Sequence, residues 1–549
     1  MDEICGYVSV SGRRVHYRRA GQGPAMVMMH ASPLSSASLR PAMAVYGQHF
    51  TCFALDNPGF GLSDPLPTGQ GDIMAQADAL KDAIMVLGLS NPIVYGASTG
   101  AAIAHAFSVR HPDAARLIVL DSFSHHDTQD MMEGYFPDVR PQRDGRHLLA
   151  IWEKICGLYL FSPWQKAEAG RRQVRTMPTP QFLHAMALEL MIAGDNYSPL
   201  YKAAIAWEDK DNINKAKAPT FLNLWASASG IDRVQMLVDL GLNDTITPVT
   251  SPAGVPGRYT AMLAALMEAG YGQGDAVPAP ILTQRFFGDY KAGYIASLSG
   301  QLHAHGRLDG DGRPLIMLHD AGCSSHSFAP FGAVLAQSRP VLAIDLPGHG
   351  DSLVPPQETI AGHAACLKEA LSGLDFGAVD VLATGAGLAV AAALKDSGPG
   401  QVHSLMHLAS RPLPASAPPE GVFTFTPDMV GRHLIKAYGQ AKYEALFWPA
   451  WDRRAQTALS RPQPFEPGVL HRRAIDLLKA GESSAALYRE AAAINVAGHI
   501  DIHLVPQWQL GDVPLSQGDD FRGQTCQPLP ADAHLWADAL SAMAAEARS

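Results

Sequence analysis

Short apolar runs alternate with longer helical stretches along most of the chain. Runs such as AMVMM, FALD and PIVYG are about five residues long and end in loops rich in Gly, Ser and Asp. Between them lie alanine-rich amphipathic stretches such as DIMAQADALKDAIMVLGL. Continuously apolar short strands that alternate with helices are typical of a parallel sheet covered on both faces. The pattern therefore predicts an α/β fold.

The same pattern occurs twice in the chain. GYVSVSGRRVHYRRAGQGPAMVMMHASPLSS is echoed by GYIASLSGQLHAHGRLDGDGRPLIMLHDAGCSS, and FALDNPGFGLSD is echoed by LAIDLPGHGDSL. Asp56 and Asp345 are 289 positions apart, and Tyr201 and Tyr488 are 287 apart. An offset this steady over roughly 200 residues predicts two copies of one domain.

The repeat sets the expected domain boundaries. We predict an N-terminal domain at 1–275, a Gly- and Pro-containing linker at 276–290 and a C-terminal domain at 291–549. In each domain an irregular, mostly helical segment interrupts the alternation, at about 125–215 and about 413–497, before strand character returns at PTFLNLW and IDIHLV. These two segments are predicted to be helical caps above the sheet.

Composition narrows the possible partners. A net charge of −10 on 549 residues does not favour nucleic acid as a principal partner. The six cysteines are scattered without metal-ligand spacing, which favours reduced thiols in a cytoplasmic protein and predicts no metal site. No cofactor is implied. The N-terminus MDEICGYVSV does not read as a signal peptide, and no apolar stretch is long enough to span a membrane.

Three motifs in the first copy carry the candidate chemistry. They are His30-Ala-Ser-Pro, Asp56-Asn-Pro-Gly-Phe-Gly-Leu-Ser63 and Gly96-Ala-Ser98-Thr-Gly100, in that order. The last follows the second by about forty residues and lies between an apolar strand and a small-residue helix. In this order and context the motifs resemble the α/β-hydrolase fold, over nearly the whole chain and twice. The resemblance implies two tandem α/β-hydrolase domains, each a mostly parallel sheet flanked by helices with an inserted helical cap.

The resemblance implies a nucleophilic role for Ser98. In that family a serine on a sharp strand-to-helix turn attacks a carbonyl carbon, and two backbone N–H groups hold the resulting oxyanion. Here those groups are expected to belong to Thr99 and Ser32.

The first copy departs from the family's pattern at the histidine and at the acid. Where relatives carry an Ala-Gly-His step, this chain has Val255 after Ala and Gly. Asp232 is the nearest carboxylate to the usual acid position, and Asp121 occupies an alternative one at the end of the preceding strand. A serine needs a base to accept its proton. The candidates are His125 and His126, and otherwise two cap histidines, His147 and His184.

The second copy shows the opposite loss. Its elbow VLATGAGLA has Gly385 at the nucleophile position, whereas LPADAHLWADAL supplies His534 in the family's histidine loop and LGDVP offers Asp512 as its acid. Another possible base for Ser98 is therefore His534, through a composite site.

These features leave three functional hypotheses. The first is a serine hydrolase that cleaves a small ester, lactone or related carbonyl substrate through Ser98, with the C-terminal copy packed against it as a degenerate partner, like a fused homodimer. Aromatic and Met side chains of the cap favour an apolar or aromatic substrate. The second is a lyase or cofactor-free dioxygenase-like enzyme, in which a His534–Asp512 dyad abstracts a proton. The third is an inactive ligand-binding or assembly module, because a fold does not by itself fix a function.

Overall fold

The structure is a computed structural model that describes most of the chain as two compact units. It describes all residues except 1–2, 68, 126–131, 174–175, 227–230, 279–289, 356, 358, 399–400, 409–417, 460–464, 495, 497–499, 501, 507–525 and 530–549. The N-terminal unit comprises Met1–Arg140, Arg146–Ile281 and Met429–Gly431, and the C-terminal unit comprises Pro141–Gly145, Leu282–Asp428 and Arg432–Ser549.

The N-terminal unit is built on an eight-stranded sheet with the order β1-β2-β4-β3-β5-β6-β7-β8. Its first two pairings, β1 with β2 and β2 with β4, are antiparallel, and the remaining pairings are parallel. The central strands β3 to β6 are buried at every residue, as the short apolar runs predict. The strands are β1 (Ile4–Val10), β2 (Arg13–Ala20), β3 (Ala25–Met29), β4 (Thr51–Leu55), β5 (Ile93–Ala97), β6 (Leu117–Asp121), β7 (Thr220–Trp225) and β8 (Ile246–Ser251).

Helices connect these strands, and four of the helices described below lie between β6 and β7, where the cap is predicted. α2 begins where the Asp72 carboxylate accepts hydrogen bonds from the N–H groups of Met74 and Ala75, and α5 begins at the side chain of Thr179. The helices are α1 (Arg40–Tyr46), α2 (Ile73–Val86), α3 (Thr99–Arg110), α4 (Arg146–Leu160), α5 (Pro180–Ala193), α6 (Tyr197–Trp207), α7 (Lys210–Ile213), α8 (Ile231–Asp239) and α9 (Val255–Glu268).

The C-terminal unit has its own eight-stranded sheet, with the order β9-β10-β12-β11-β13-β14-β15-β16. Position by position this is the strand order of the first sheet. The strands are β9 (Lys291–Ser297), β10 (Gly300–Arg307), β11 (Leu315–Leu318), β12 (Val341–Ile344), β13 (Val379–Ala383), β14 (Val402–Leu408), β15 (Ile502–Pro506) and β16 (Cys526–Leu529). The helices are α10 (Ala329–Leu335), α11 (Ile360–Ser372), α12 (Gly387–Asp396), α13 (Arg432–Glu444), α14 (Pro467–Ala480) and α15 (Glu482–Ala492). The expected α/β architecture of mostly parallel sheets flanked by helices is confirmed.

A buried carboxylate joins the loops above the first sheet. Asp56, which follows β4, accepts hydrogen bonds from His16 Nδ1 at 2.8 Å, from the Leu62 N–H at 2.9 Å and from the Ser36 N–H at 2.6 Å. Burial by itself would raise the pKa of Asp56, but the adjacent His16 and further positive groups hold it well below its usual range. The charged carboxylate therefore ties the loops after β3 and β4 to strand β2.

The C-terminal unit repeats this arrangement around Asp345. Its carboxylate accepts from one histidine ring and two backbone N–H groups, those of His303 (2.8 Å), Asp351 (2.9 Å) and Ser325 (2.6 Å).

Two predictions from composition, on membrane segments and on cysteines, can be compared with the described residues. Within the described ranges, no helix combines the length and the apolar character that a membrane crossing requires. The five cysteines whose side chains are described, Cys5, Cys52, Cys156, Cys323 and Cys366, carry free thiols.

Candidate active site

Ser98 lies on a sharp turn between β5 and α3. Its backbone has φ +51° and ψ −117°, a conformation that costs free energy in a residue with a side chain. The turn also needs glycines on both sides. A Cβ on Gly96 would lie 2.1 Å from the Gly100 carbonyl oxygen, and a Cβ on Gly100 would lie 2.3 Å from the Met29 carbonyl oxygen. We call Gly96–Gly100 the N-terminal elbow.

The two predicted oxyanion donors lie on neighbouring segments at this elbow. The Ser32 N–H donates to Thr99 Oγ1 at 3.4 Å, which brings the loop after β3 to the start of α3. The first N–H groups of a helix have no partner within the helix, so the Thr99 N–H can serve a ligand. The Ser32 hydroxyl is buried and makes no hydrogen bond with the described residues. The Thr99 N–H and the Ser32 hydroxyl could therefore donate to a ligand, and the Ser32 N–H makes only a long hydrogen bond, to Thr99 Oγ1.

Asp121 anchors helix α9. Its carboxylate accepts hydrogen bonds from the Tyr95 hydroxyl, from Asn223 Nδ2 at 3.1 Å and from Arg258 Nε at 2.5 Å. Burial alone would lower the pKa of Arg258, but the Asp121 carboxylate raises it well above its usual value. The segment that begins at Val255 is the one expected to carry a histidine. It instead places Arg258 beside the Asp121 carboxylate, and an arginine cannot act as a base at ordinary pH.

Four histidines of the N-terminal unit have structural partners. His30 donates from Nδ1 to the Ala31 carbonyl at 3.0 Å and accepts the Asn57 N–H at Nε2 at 2.9 Å. His105 accepts from Trp207 Nε1 and donates to the Ile213 carbonyl, both at 3.0 Å. Burial lowers the pKa of His30, and it lowers that of His105 to about 4. The other two, His16 and His111, bond to Asp56 and Asp78.

His125 lies at the same edge of the sheet as Ser98. Strands β5 and β6 pair in parallel, so Ser98 after β5 and His125 after β6 both follow carboxyl ends of adjacent strands. His125 Nδ1 lies 3.5 Å from Asp209 Oδ2, and the two side chains are 23% and 34% exposed. This distance is within reach of an ion pair but longer than a good hydrogen bond. A carboxylate beside an imidazole can orient the ring and stabilise its protonated form, which suits a histidine that acts as a general base.

Sequence reasoning missed Asp209. The acids indicated by the sequence, Asp121 and Asp232, follow strands, whereas Asp209 lies between α6 and α7, where its carboxylate also accepts the Asp211 N–H at 2.7 Å. The local signal at this position is an ordinary helix-capping pattern, which says nothing about a histidine 84 residues earlier.

The remaining predicted site residues lie on helices or outside the described residues. Asp232 is exposed on α8, whereas His147 is buried on α4 and His184 is half-buried on α5. Three predicted residues, His126, Asp512 and His534, lie outside the described residues.

The C-terminal unit has the same kind of turn, but with no side chain at the position that corresponds to Ser98. Gly385 follows β13 with φ +53°, close to the +51° of Ser98. A Cβ on the next glycine, Gly387, would lie 2.4 Å from the His319 carbonyl oxygen, much as a Cβ on Gly100 would lie 2.3 Å from the Met29 carbonyl oxygen. We call the turn at 384–387 the C-terminal elbow.

Comparisons with known proteins agree with this geometry. Residues 24–147 match the family model described as the alpha/beta hydrolase fold. Over 117 residues, 21% of the chain, the sequence is 31% identical to 2-(acetamidomethylene)succinate hydrolase of Mesorhizobium japonicum and covers 42% of it. Over 116 residues, also 21% of the chain, it is 34% identical to epoxide hydrolase 3 of Mus musculus and covers 32% of it.

Among solved structures, that of E-2-(acetamidomethylene)succinate hydrolase aligns with a TM-score of 0.34 and 20% identity over 49% of this chain and 100% of that chain. The chain thus spans less than half the length of these two curated relatives. The matched segment runs from the end of the first hairpin to the start of α4 and contains the elbow and the loop that supplies Ser32. Residues 24–147, which position Ser98, are thus similar to the alpha/beta hydrolase fold.

Proposed function

We propose that the N-terminal unit is a serine hydrolase that cleaves a small ester, lactone or related carbonyl compound with Ser98 as the nucleophile. The observation that carries the proposal is the strained backbone of Ser98, φ +51°, between two glycines that admit no side chain. Strain of this kind persists where the surroundings enforce it, and it is concentrated at functional sites. The adjacent N–H groups of Ser32 and Thr99 are suited to stabilise the negative charge that develops on the substrate oxygen.

The reaction follows from these groups in two steps. Ser98 Oγ attacks the carbonyl carbon while a base takes its proton, and the alcohol leaves with a proton to give an acyl-enzyme. Water then attacks the acyl group with help from the same base, which releases the acid and restores Ser98. The N–H groups of Ser32 and Thr99 hold the oxyanion in both steps.

We assign the base to His125 and its orientation to Asp209. The rings of His16, His30, His105 and His111 make hydrogen bonds of 2.7–3.0 Å to structural partners. His125 instead lies 3.5 Å from the Asp209 carboxylate, at the edge of the sheet that carries Ser98. A nearby carboxylate stabilises the imidazolium that forms when the base accepts a proton.

The assignment predicts a selective loss of turnover in His125→Asn. We expect kcat to fall about 10²–10⁴-fold with little change in KM, because a base acts in the transition state and contributes little to substrate binding. Asp209→Asn should lower kcat in the same direction. The matched control is His111→Asn, which breaks a second histidine–aspartate pair, 2.7 Å to Asp78. His111 lies at the C-terminal end of α3, whereas Ser98 lies at its start. Equal rates for His125→Asn and the control would remove His125 from the mechanism.

We further propose that the C-terminal unit is a degenerate second copy of the same domain, packed against the first as a pseudo-dimer in a cytoplasmic enzyme. The shared strand order supports the duplication, and so do the matching hydrogen bonds that the buried carboxylates of Asp56 and Asp345 accept. So do the glycines that end α5 and α14, Gly194 (φ +50°, ψ −130°) and Gly481 (φ +51°, ψ −128°), which are 287 positions apart.

The cap of the N-terminal unit favours an apolar or aromatic substrate. Tyr135 and Tyr201 stack with ring centroids 5.5 Å apart, and Lys154 lies 3.8 Å from the Tyr135 ring centroid without an acidic partner among the described contacts. Burial lowers the pKa of Lys154 well below its usual value, so the interior of this cap is strongly desolvating. A desolvated, aromatic cap is better matched to a ligand of low polarity than to a charged one.

A fluorophosphonate probe tests the proposed function. Intact-mass analysis of the full chain should show one probe adduct on the wild type and none on Ser98→Ala. The control is Ser90→Ala, which removes an exposed serine and should label like the wild type. A well-folded wild-type protein that gains no adduct would contradict the proposal of an activated serine.

A further inference from the structure

The side chain of Asp320 fills the place of the missing nucleophile at the C-terminal elbow. A Cβ built on Gly385 would lie 2.0 Å from Asp320 Cγ and 2.1 Å from its Oδ1. Asp320 does not come from the elbow itself but from the loop after β11, next to His319. A side chain at position 385 would project into a space that is already filled by the carboxylate of a neighbouring loop.

The hydrogen bonds of Asp320 are those of a bound oxyanion. Its Oδ1 accepts the Ala386 N–H at 2.7 Å and the Ala321 N–H at 2.8 Å. In the repeat, Ala321 corresponds to Ser32 at an offset of 289, and Ala386 corresponds to Thr99 at an offset of 287. These are the two groups assigned to the oxyanion in the N-terminal unit. One oxygen of Asp320 thus occupies the position that a substrate oxygen would take.

The second oxygen of Asp320 bonds to the cap. Oδ2 accepts the Tyr488 hydroxyl of α15 at 2.7 Å. Next to it, Arg473 of α14 donates to the Gly322 carbonyl oxygen in the same loop and to Glu444 Oε2 at 2.6 Å. Burial raises the pKa of Asp320, and its hydrogen-bond donors and Arg473 act in the opposite direction. The carboxylate therefore connects the elbow, the loop after β11 and the cap helices.

The N-terminal unit lacks this internal ligand. At the position of Asp320 it has Ala31, and at the position of Arg473 it has Met186. Ala31 has no side-chain oxygen that could reach the N–H groups of Ser32 and Thr99. The two units therefore differ chemically. The N-terminal unit has a serine at its elbow and an alanine at position 31, and the C-terminal unit has a glycine at its elbow and a site filled by Asp320.

We propose that the C-terminal unit contains a carboxylate-binding site at its elbow, formed by the N–H groups of Ala321 and Ala386 and the hydroxyl of Tyr488, which Asp320 fills from within. While Asp320 is in place the site is closed to substrates and the cap is held to the sheet. Without that side chain the site accepts a small carboxylate from solution, such as formate or acetate.

Chemical rescue tests this site in the full-length chain. Asp320→Ala should unfold at a lower temperature than the wild type in chloride. Sodium formate at equal ionic strength should raise its transition by about 3 °C in a saturable manner, because a ligand that binds only the folded state stabilises it. The wild type and Asp311→Ala, which removes an exposed aspartate a few residues earlier, should respond equally to formate and chloride.

A folding defect in the variant does not remove the test. If Asp320→Ala does not fold in chloride, refolding in formate should recover folded protein, and Asp320→Ser provides a second variant with a smaller cavity. The proposal is overturned if neither variant responds to formate more strongly than the wild type does, in melting or in refolding. Because the readout is stability, it does not depend on whether Ser98 is catalytic.

Discussion

Ser98→Ala is expected to lower kcat for ester hydrolysis at least about 10³-fold while the protein melts at the wild-type temperature or above. The loss is large because the nucleophile forms the covalent intermediate. Within the N-terminal elbow, the other hydroxyl belongs to Thr99. The fold is preserved because the Ser98 side chain makes no capping hydrogen bond to α3. Steady-state rates with a p-nitrophenyl ester and a lactone, together with calorimetry, provide the measurement.

The control for this prediction is Ser90→Ala, which should retain full activity. If Ser98→Ala kept more than a tenth of the wild-type kcat, Ser98 would not be the nucleophile and the strained elbow would need another explanation.

Asp56→Ala is expected to destabilise the N-terminal unit by about 3–5 kcal/mol, because it leaves buried donors without their acceptor. The carboxylate serves His16, Leu62 and Ser36 at once and is almost fully buried. Asp64→Ala is the matched control, since it removes the partly exposed aspartate that pairs with Arg14 at 2.7 Å. Asp64 also accepts the Arg14 backbone N–H at 2.8 Å, but water reaches both partners, so its loss should cost less, about 1–2 kcal/mol. Equal melting temperatures for the two variants would contradict the role of Asp56.

The stability difference between wild type and Asp56→Ala should depend on pH. The pKa of Asp56 is held low in the folded state, so its charged form stabilises the fold at pH values above the unfolded pKa of about 4. As the pH falls below about 4 toward the lower folded pKa, this contribution is lost and the two proteins should approach each other in stability. Chemical denaturation at several pH values from about 3 to about 7 measures the difference in the free energy of unfolding between the two proteins. A difference that grew on acidification would refute this account.

The parts of the fold that were predictable from the sequence are those with a local cause. The apolar runs at β3, β4 and β5 identify buried parallel strands because each residue of such a strand faces a covered side of the sheet. The glycines around Ser98 identify the elbow because a Cβ at Gly96 or Gly100 meets backbone atoms.

The polar contacts of the candidate site were not predictable because they join distant segments. Asp121 pairs with Arg258, 137 residues later, and nothing in the local pattern of either residue indicates the other. The approach of Asp209 to His125 likewise depends on how the cap helices return to the sheet. Asp320 is an intermediate case. The sequence shows HDAG in place of HASP, but only the structure shows that the added carboxylate fills the space above Gly385.

The most direct test of the account is to trap and locate the acyl-enzyme. Wild-type protein mixed with an activated ester and quenched in acid within the first turnover should carry one acyl group, and peptide mass spectrometry should place it on the peptide that contains Ser98. An acyl group on another residue, or turnover of the ester without any acylated peptide, would contradict the claim that this elbow carries the nucleophile.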